Sequence, residues 1–141
     1  AVASGVVSAK GNMASAKAAR QVGEYNAKVA ENEQILLQRA TRQKEKNLRR
    51  QSEKLVGSQR VATAKSGIQM SGSPMQALAD TFFNTEMDAI NIRYAGSIEE
   101  ASKVNEAAMA RASAAAKSMQ YKTQAYSTLL SSGGKAASAQ R

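Results

Sequence analysis

Six carboxylates lie along the second half of the chain, and carboxylate pairs are the simplest acid–base equipment a protein without histidine can have. They are Asp80, Glu86, Asp88, Glu99, Glu100 and Glu106. On one helix, Asp80 and Asp88 share a face but lie about 12 Å apart along the axis, too far for a shared proton-transfer step. The sequence has no Cys and no His, which excludes thiol nucleophiles, zinc sites and catalytic triads. We therefore predict no catalytic residue, no metal site, no cofactor and no enzymatic activity.

Basic side chains are the second group with a clear chemical use. The 141 residues include 20 Lys and Arg against 11 Asp and Glu, a net charge of +9. The excess is greatest between residues 39 and 65, where two acidic residues accompany Arg39, Arg42, Lys44, Lys46, Arg49, Arg50, Lys54, Arg60 and Lys65. These nine residues form either a surface for phosphate, in DNA or in an anionic membrane, or a solvated face that meets an acidic neighbour.

Two long helices are the elements that must carry these side chains. Good helix formers dominate, Pro occurs once, and two glycines flank a Ser/Gly/Pro-rich stretch near the middle. Ser73, Pro74 and Gln76 match an N-cap, a first helical proline and a capping box. We predict an all-α fold, a long antiparallel helical hairpin that assembles into an oligomeric ring or tube. The expected parts are a flexible, weakly apolar segment at 1–13, a basic helix at 14–65, a turn at 66–73, an Ala-rich helix at 74–130 and a flexible tail at 131–141.

Apolar spacing predicts which faces of these helices are in contact. In the first helix the stripe comprises Val22, Tyr25, Val29, Leu36, Ala40, Leu48, Leu55 and Ala62, and about 3.64 residues per step indicate a nearly straight helix. In the second it comprises Met75, Leu78, Phe82, Ala89, Ile92, Gly96, Val104, Ala107, Ala115, Met119 and Leu129. A further row beside it contains Ala79, Phe83, Met87, Ile90, Tyr94 and Ile98. One partner helix covers one stripe, so this row is predicted to be an interface with other copies of the chain.

A resemblance rests on the segment that joins the helices. Ser66-Gly67-Ile68, Ser71-Gly72-Ser73-Pro74 and Leu78-Ala79-Asp80, followed by residues 86–94 (EMDAINIRY), resemble the internal virion proteins of short-tailed bacteriophages, also called core or ejection proteins. The basic helix before the segment and the Ala-rich helix after it fit the same family. The resemblance implies a virion component that lies inside the capsid and then helps to form a conduit for the genome across the host cell envelope.

The partners that this resemblance implies are other copies of the chain, other core or portal proteins, and the DNA backbone or the host membrane. Its location would be the virion interior, then the host envelope during infection. The sequence departs from a pore former because no run approaches about 18 apolar residues, and only the weakly apolar ends, 1–9 and 126–134, are candidates. The N-terminus does not resemble a secretory signal. Two alternatives remain open: a nucleoid-type protein that binds DNA non-specifically, or a polymerising helical-hairpin adaptor of a secretion or tail apparatus.

Overall fold

The computed structural model describes residues 2–67, 69 and 71–138, and the side chains of 4–67, 69 and 71–134. Helix α1 spans Val2–Lys65 and helix α2 spans Ser73–Ser138. The described residues contain no strand, and the two helices pack against each other. The predicted all-α class and the pairing of two helices are therefore confirmed.

Both helices extend further toward the chain ends than the sequence predicted. Residues 2–13, expected to be flexible, belong to α1, and residues 131–138 of the expected tail belong to α2. Residues 1 and 139–141 lie outside the described part of the chain. Alanine and serine at these ends permit a helix, and packing adds to it because Gly5 and Ala9 are buried, with Gly5 beside Ser132.

Two glycines shape the connection between the helices. Gly67 has a φ of 71° and lies two residues after the end of α1, while Gly72 has a φ of 66° and immediately precedes α2. Only glycine adopts such angles without strain. The Gly72 carbonyl accepts the first bond of α2, from the amide of Gln76 at 3.1 Å. Gly72 is therefore the N-cap residue of α2, the role predicted for Ser73, and Ser73 is the first helical residue. Residues 68 and 70 of the predicted turn lie outside the described residues.

The chain divides into two compact units, and each contains a segment of both helices. The terminal unit comprises Ala1–Asn32 and Lys103–Arg141. The turn unit comprises Glu33–Ser102. Within each unit the α1 and α2 segments run antiparallel, because residues with higher numbers in α1 contact residues with lower numbers in α2.

Small side chains form the contact between α1 and α2 in both units. In the terminal unit the buried residues include Ala9, Ala16, Ala27, Ala30, Ala107, Ala114, Ser118 and Ala125. In the turn unit they include Ser52, Val56, Leu78 and Ala89. A Cβ on Gly23 would overlap that of Ala114, and a Cβ on Gly96 would overlap the side chain of Thr41. The backbones therefore approach closely, as in small-residue helix contacts. We call this contact the small-residue seam.

The contact stripe predicted for α1 is wrong. Tyr25 is 69% exposed and Leu36 is 62% exposed, and Val22, Val29 and Leu55 are exposed as well. For α2 the prediction is partly right: Leu78, Ala89, Gly96 and Ala107 are buried and Ile92 is half-buried, but Met75, Phe82, Val104 and Met119 are exposed. Large side chains throughout the seam would hold the helices apart, so the helices turn mostly small residues toward each other, and Val56 and Leu78 are the larger buried residues of the turn unit.

Candidate functional site: the charged and apolar surfaces

The nine basic residues predicted to face phosphate all lie on α1 in the turn unit. Eight of them are exposed and Arg49 is half-buried. Arg42, Lys46, Arg49 and Arg50 line an open groove together with Glu45 and Glu53. Among the described residues Arg49 is the only one of the nine that takes part in an ion pair. The other eight side chains are therefore available to an anionic partner.

A four-residue ion-pair network joins the two helices beside this groove. Arg49 donates to Glu45, four residues earlier on the same helix, at 3.1 Å, and it forms a two-pronged pair with Glu86 of α2. Arg93 of α2 donates across to Glu45 of α1, with Arg93 Nε 2.8 Å from Glu45 Oε2. Each arginine thus bridges α1 and α2. Such bidentate geometry fixes the register of two helices more firmly than a single lysine contact does.

The network alters the acidity of its members. Hydrogen bonds from Arg93, and then from Arg49, lower the pKa of Glu45 to about 2, against the opposing effect of desolvation. Hydrogen bonds donated to Glu86 and Glu45 raise the pKa of Arg49, and those donated to Glu45 raise the pKa of Arg93. Glu45 therefore stays ionised far below the pH at which an ordinary glutamate takes up a proton.

A pH titration of stability should show the contribution of Glu45. Its pKa is lower in the folded state than the ordinary 4.5, so its stabilising effect is complete above that value. The effect is lost as the pH falls from about 4.5 toward about 2. We expect the midpoint of thermal unfolding to fall less steeply over this interval in Glu45→Gln than in the wild type. Glu53→Gln, which removes an exposed carboxylate without an ion pair, is the control. Identical pH profiles for wild type and Glu45→Gln would contradict the assignment.

The predicted subunit-interface residues occupy one exposed face of α2 in the turn unit. All six are exposed, Phe83 at 67% and Tyr94 at 68%. At 100° per residue, the large members Phe83, Met87, Ile90, Tyr94 and Ile98 lie roughly 160° around the helix from the small-residue seam. We call these five residues the outer row. It faces away from α1, so the protomer leaves it without a packing partner.

The terminal unit contains a charged cluster that the sequence did not reveal. Arg111 of α2 contacts both Glu24 and Glu31 of α1, with distances of 3.1 and 2.7 Å. The hydrogen bond from Arg111 lowers the pKa of Glu24, and the two carboxylates raise the pKa of Arg111. The i,i+4 spacing offers Glu24 a partner in Lys28 on its own helix, but Glu24 binds across the helices instead. No local sequence signal identifies such a pair, because 87 positions separate Glu24 from Arg111.

One further arginine of the terminal unit is fixed by a buried hydroxyl. Arg20 Nε donates to Ser118 Oγ at 3.1 Å, and Ser118 is fully buried in the seam. The bond uses one of the five N–H donors of the guanidinium. Arg20, Glu24 and Arg111 border a shallow groove with Ala114 and Ala115. The remaining Arg20 donors are thus held at a defined surface position.

The described residues contain no group of three or more acidic side chains that could hold a metal ion. Across the same part of the chain, no helix has both the length and the hydrophobicity required to cross a bilayer. The surfaces of the described residues include a basic face on α1, the outer row on α2 and cross-helix ion pairs. Comparison with protein family models, with characterised proteins and with solved structures gives no match.

Proposed function

We propose that this chain is a structural subunit of a bacteriophage virion, an internal core or ejection protein that helps to form the conduit for genome delivery across the host cell envelope. The observation that carries this proposal is the outer row. Five large side chains, Phe83, Met87, Ile90, Tyr94 and Ile98, are exposed on the side of α2 away from α1. A contiguous apolar row of this kind on a small protein marks a protein-binding surface.

The size of the outer row supports assembly of the chain with itself. With roughly 200 Å² per large side chain, the exposed fractions leave on the order of 600 Å² of surface on each copy. Two such surfaces together approach about 1,200 Å², the lower limit of stable, specific interfaces. The seam between α1 and α2 consists mostly of small residues and buries little per residue, so assembly would supply much of the missing stabilisation.

The resemblance around the turn supports the virion setting. The residues that carry the resemblance all belong to the turn unit. Gly67 and Gly72 shape the turn, Ser73-Pro74 begins α2, and the segment 86–94 lies further along α2. The basic residues of α1 suit a subunit that meets phosphate during packaging or delivery. Other core or portal proteins and the host membrane are further partners under this proposal.

The assembly part of the proposal is tested by the mass of the purified protein in solution. We expect an oligomer for the wild type by light scattering or native mass spectrometry. Replacing Ile90 and Tyr94 by serine should weaken the oligomer, because two central side chains of the interface are lost. The protein concentration at which half of it dissociates should rise at least tenfold. Asn84→Ser with Asn91→Ser, at exposed polar positions of the same helix, is the matched control. Circular dichroism should show unchanged helix in both variants. A wild-type protein that stays monomeric at high concentration would contradict the proposal.

The virion part needs a separate measurement. Mass spectrometry of purified particles from the phage that carries the gene should find the protein in full particles and a reduced amount after DNA ejection has been triggered. A protein absent from full particles is not a virion component, whatever its oligomeric state.

A further inference from the structure

The positive charge of this protein is concentrated in the terminal unit, and not in the turn unit that contains the basic segment 39–65. The terminal unit holds ten basic and three acidic residues, a net charge of +7. The turn unit also holds ten basic residues, but eight acidic ones reduce its net charge to +2. The difference arises because helix pairing brings the acidic stretch of α2 into the same unit as the basic stretch of α1.

The few carboxylates of the terminal unit are already occupied. Glu24 and Glu31 bind Arg111, and Glu106 binds Lys103 at 2.7 Å. Six other cations therefore have no carboxylate partner among the described residues: Lys10, Lys17, Arg20, Lys28, Lys117 and Lys122. All six are exposed. Their charge is left for a ligand from outside the chain.

Helix geometry places five of these six cations, all except Lys117, on one side of the terminal unit. Lys10, Lys17 and Glu24 follow one another at seven-residue intervals, close to two turns, and Arg20 and Lys28 lie one turn to either side of Glu24. Glu24 faces Arg111 across the helices.

On α2, Lys122 follows Arg111 by eleven residues, close to three turns, so the two share a face. Arg20 bonds Ser118, one turn before Lys122. The two helices thus present these five cations on the same side. We call Lys10, Lys17, Arg20, Lys28 and Lys122 the terminal basic face.

The shape of the terminal basic face suits an extended polyanion. From Lys10 to Lys28 it covers about 27 Å along a straight helix, far more than a single phosphate group needs. A nucleic-acid duplex presents about one negative charge per 1.7 Å of its axis, so several cations can each find a phosphate at once. Arg20 adds a guanidinium that is already oriented by Ser118. Between Lys10 and Lys28, α1 carries Met13 among these cations and Tyr25 at their edge, about 60° further around the helix. Helices that bind membranes need a broader apolar face than these two side chains provide.

We infer that the terminal basic face binds the phosphate backbone of a nucleic-acid duplex, without reading its sequence. This names a partner for the proposed virion subunit and rests on that proposal for its biological setting. The contact is electrostatic and needs no base-edge hydrogen bonds or aromatic stacking. It also separates two tasks in one chain: the turn unit presents the outer row, and the terminal unit presents the charge.

Salt-dependent duplex binding by the full chain tests the inference. The variant Lys10→Gln, Lys17→Gln, Lys28→Gln should weaken binding of a labelled 30-base-pair DNA by about 10- to 100-fold near 0.1 M salt and reduce the slope of log affinity against log salt by about 3. The matched control is Lys44→Gln, Lys46→Gln, Lys54→Gln, which removes the same three charges from exposed positions of the turn unit. It should change the slope by less than about 1.

Each other outcome overturns the inference. An equal loss in both triple variants would show that net charge alone matters, and a larger loss in the control would place the contact on segment 39–65. Binding of wild type to phosphatidylserine vesicles but not to DNA would identify a membrane surface instead. An oligomer that is present in virions but ignores DNA would overturn the inference and leave the proposed function intact. A monomer that binds DNA through the terminal basic face and is absent from virions would overturn the proposed function and leave the inference intact.

Discussion

Replacing Gly23 by alanine is expected to destabilise this protein, although alanine is the better helix former. The new Cβ would overlap the Cβ of Ala114 and approach the Ala110 carbonyl at 2.9 Å, so the two helices must separate or bend locally. Overpacking of this kind costs about 1–3 kcal/mol, and the gain in helix propensity returns about 1 kcal/mol at most. We expect a net loss of about 1 to 2 kcal/mol in the free energy of unfolding, measured by urea denaturation.

Gly11 provides the matched control for this prediction. It lies on the same helix in the same unit, is exposed, and has open space where a Cβ would stand. Gly11→Ala should therefore stabilise the protein by about 0.5–1 kcal/mol, the opposite sign. The double variant Gly23→Ala, Ala114→Gly moves the methyl group to the other helix and should recover most of the loss beyond the cost of the new glycine. A stabilising Gly23→Ala would mean that the helices are not in close contact there.

The predictable part of this fold was its secondary structure. Glycine and proline are concentrated in one stretch, and long runs of good helix formers lie on either side, so two helices and a turn followed directly. The errors lay at the ends. Residues 2–13 and 131–138 contain no strong helix signal, and packing favours their helices because Gly5 of one segment lies beside Ser132 of the other. That contact depends on tertiary structure and is invisible in either segment alone.

The contact between the helices could not be predicted from apolar spacing. The large apolar residues at helical spacing in α1 include Tyr25 and Leu36, and both are exposed. The residues that do meet include Gly23, Ala27, Thr41 and Ser52, types that are common on any helix surface. Small residues give a weak hydrophobic signal but the closest backbone approach, so the seam appears only when both helices are placed together. The large residues are then left on the outside, where other copies can cover them.

The distribution of charge along the chain can be counted from the sequence, but its distribution in space cannot. Segment 39–65 is the most basic stretch of the sequence, yet Arg49 contacts Glu86 and Glu45 contacts Arg93 across the helices. The terminal unit is more basic because it combines two moderately basic segments that contain few acids. Pairing of distant segments, and not local density, therefore decides which surface carries the net charge.

Two adjacent residues of α1 distinguish the observed seam from the contact that apolar spacing predicts. Ala30 is 2% exposed and packs with Ala27 and Ala107, while Val29 is 38% exposed and belongs to the stripe predicted from the sequence. Ala30→Leu should destabilise the protein by about 1–3 kcal/mol, because the seam has no room for three more carbon atoms. Val29→Ala should change the free energy of unfolding by less than about 0.5 kcal/mol, since the loss of partly exposed methyl groups is offset by higher helix propensity.

The decisive result is which of the two substitutions destabilises the protein more, because the small-residue seam and a contact through large apolar residues predict opposite answers. If large apolar residues formed the helix contact, Val29→Ala would leave a cavity and cost about 1–3 kcal/mol, while leucine at position 30 would lie harmlessly in solvent. Urea denaturation should be measured at several protein concentrations, so that any contribution of Val29 to contacts between copies is seen as a concentration-dependent midpoint. A loss in Ala30→Leu that does not depend on concentration, with near-wild-type stability of Val29→Ala in dilute solution, would assign the seam to the small residues within one protomer. It would also leave the large residues available for assembly.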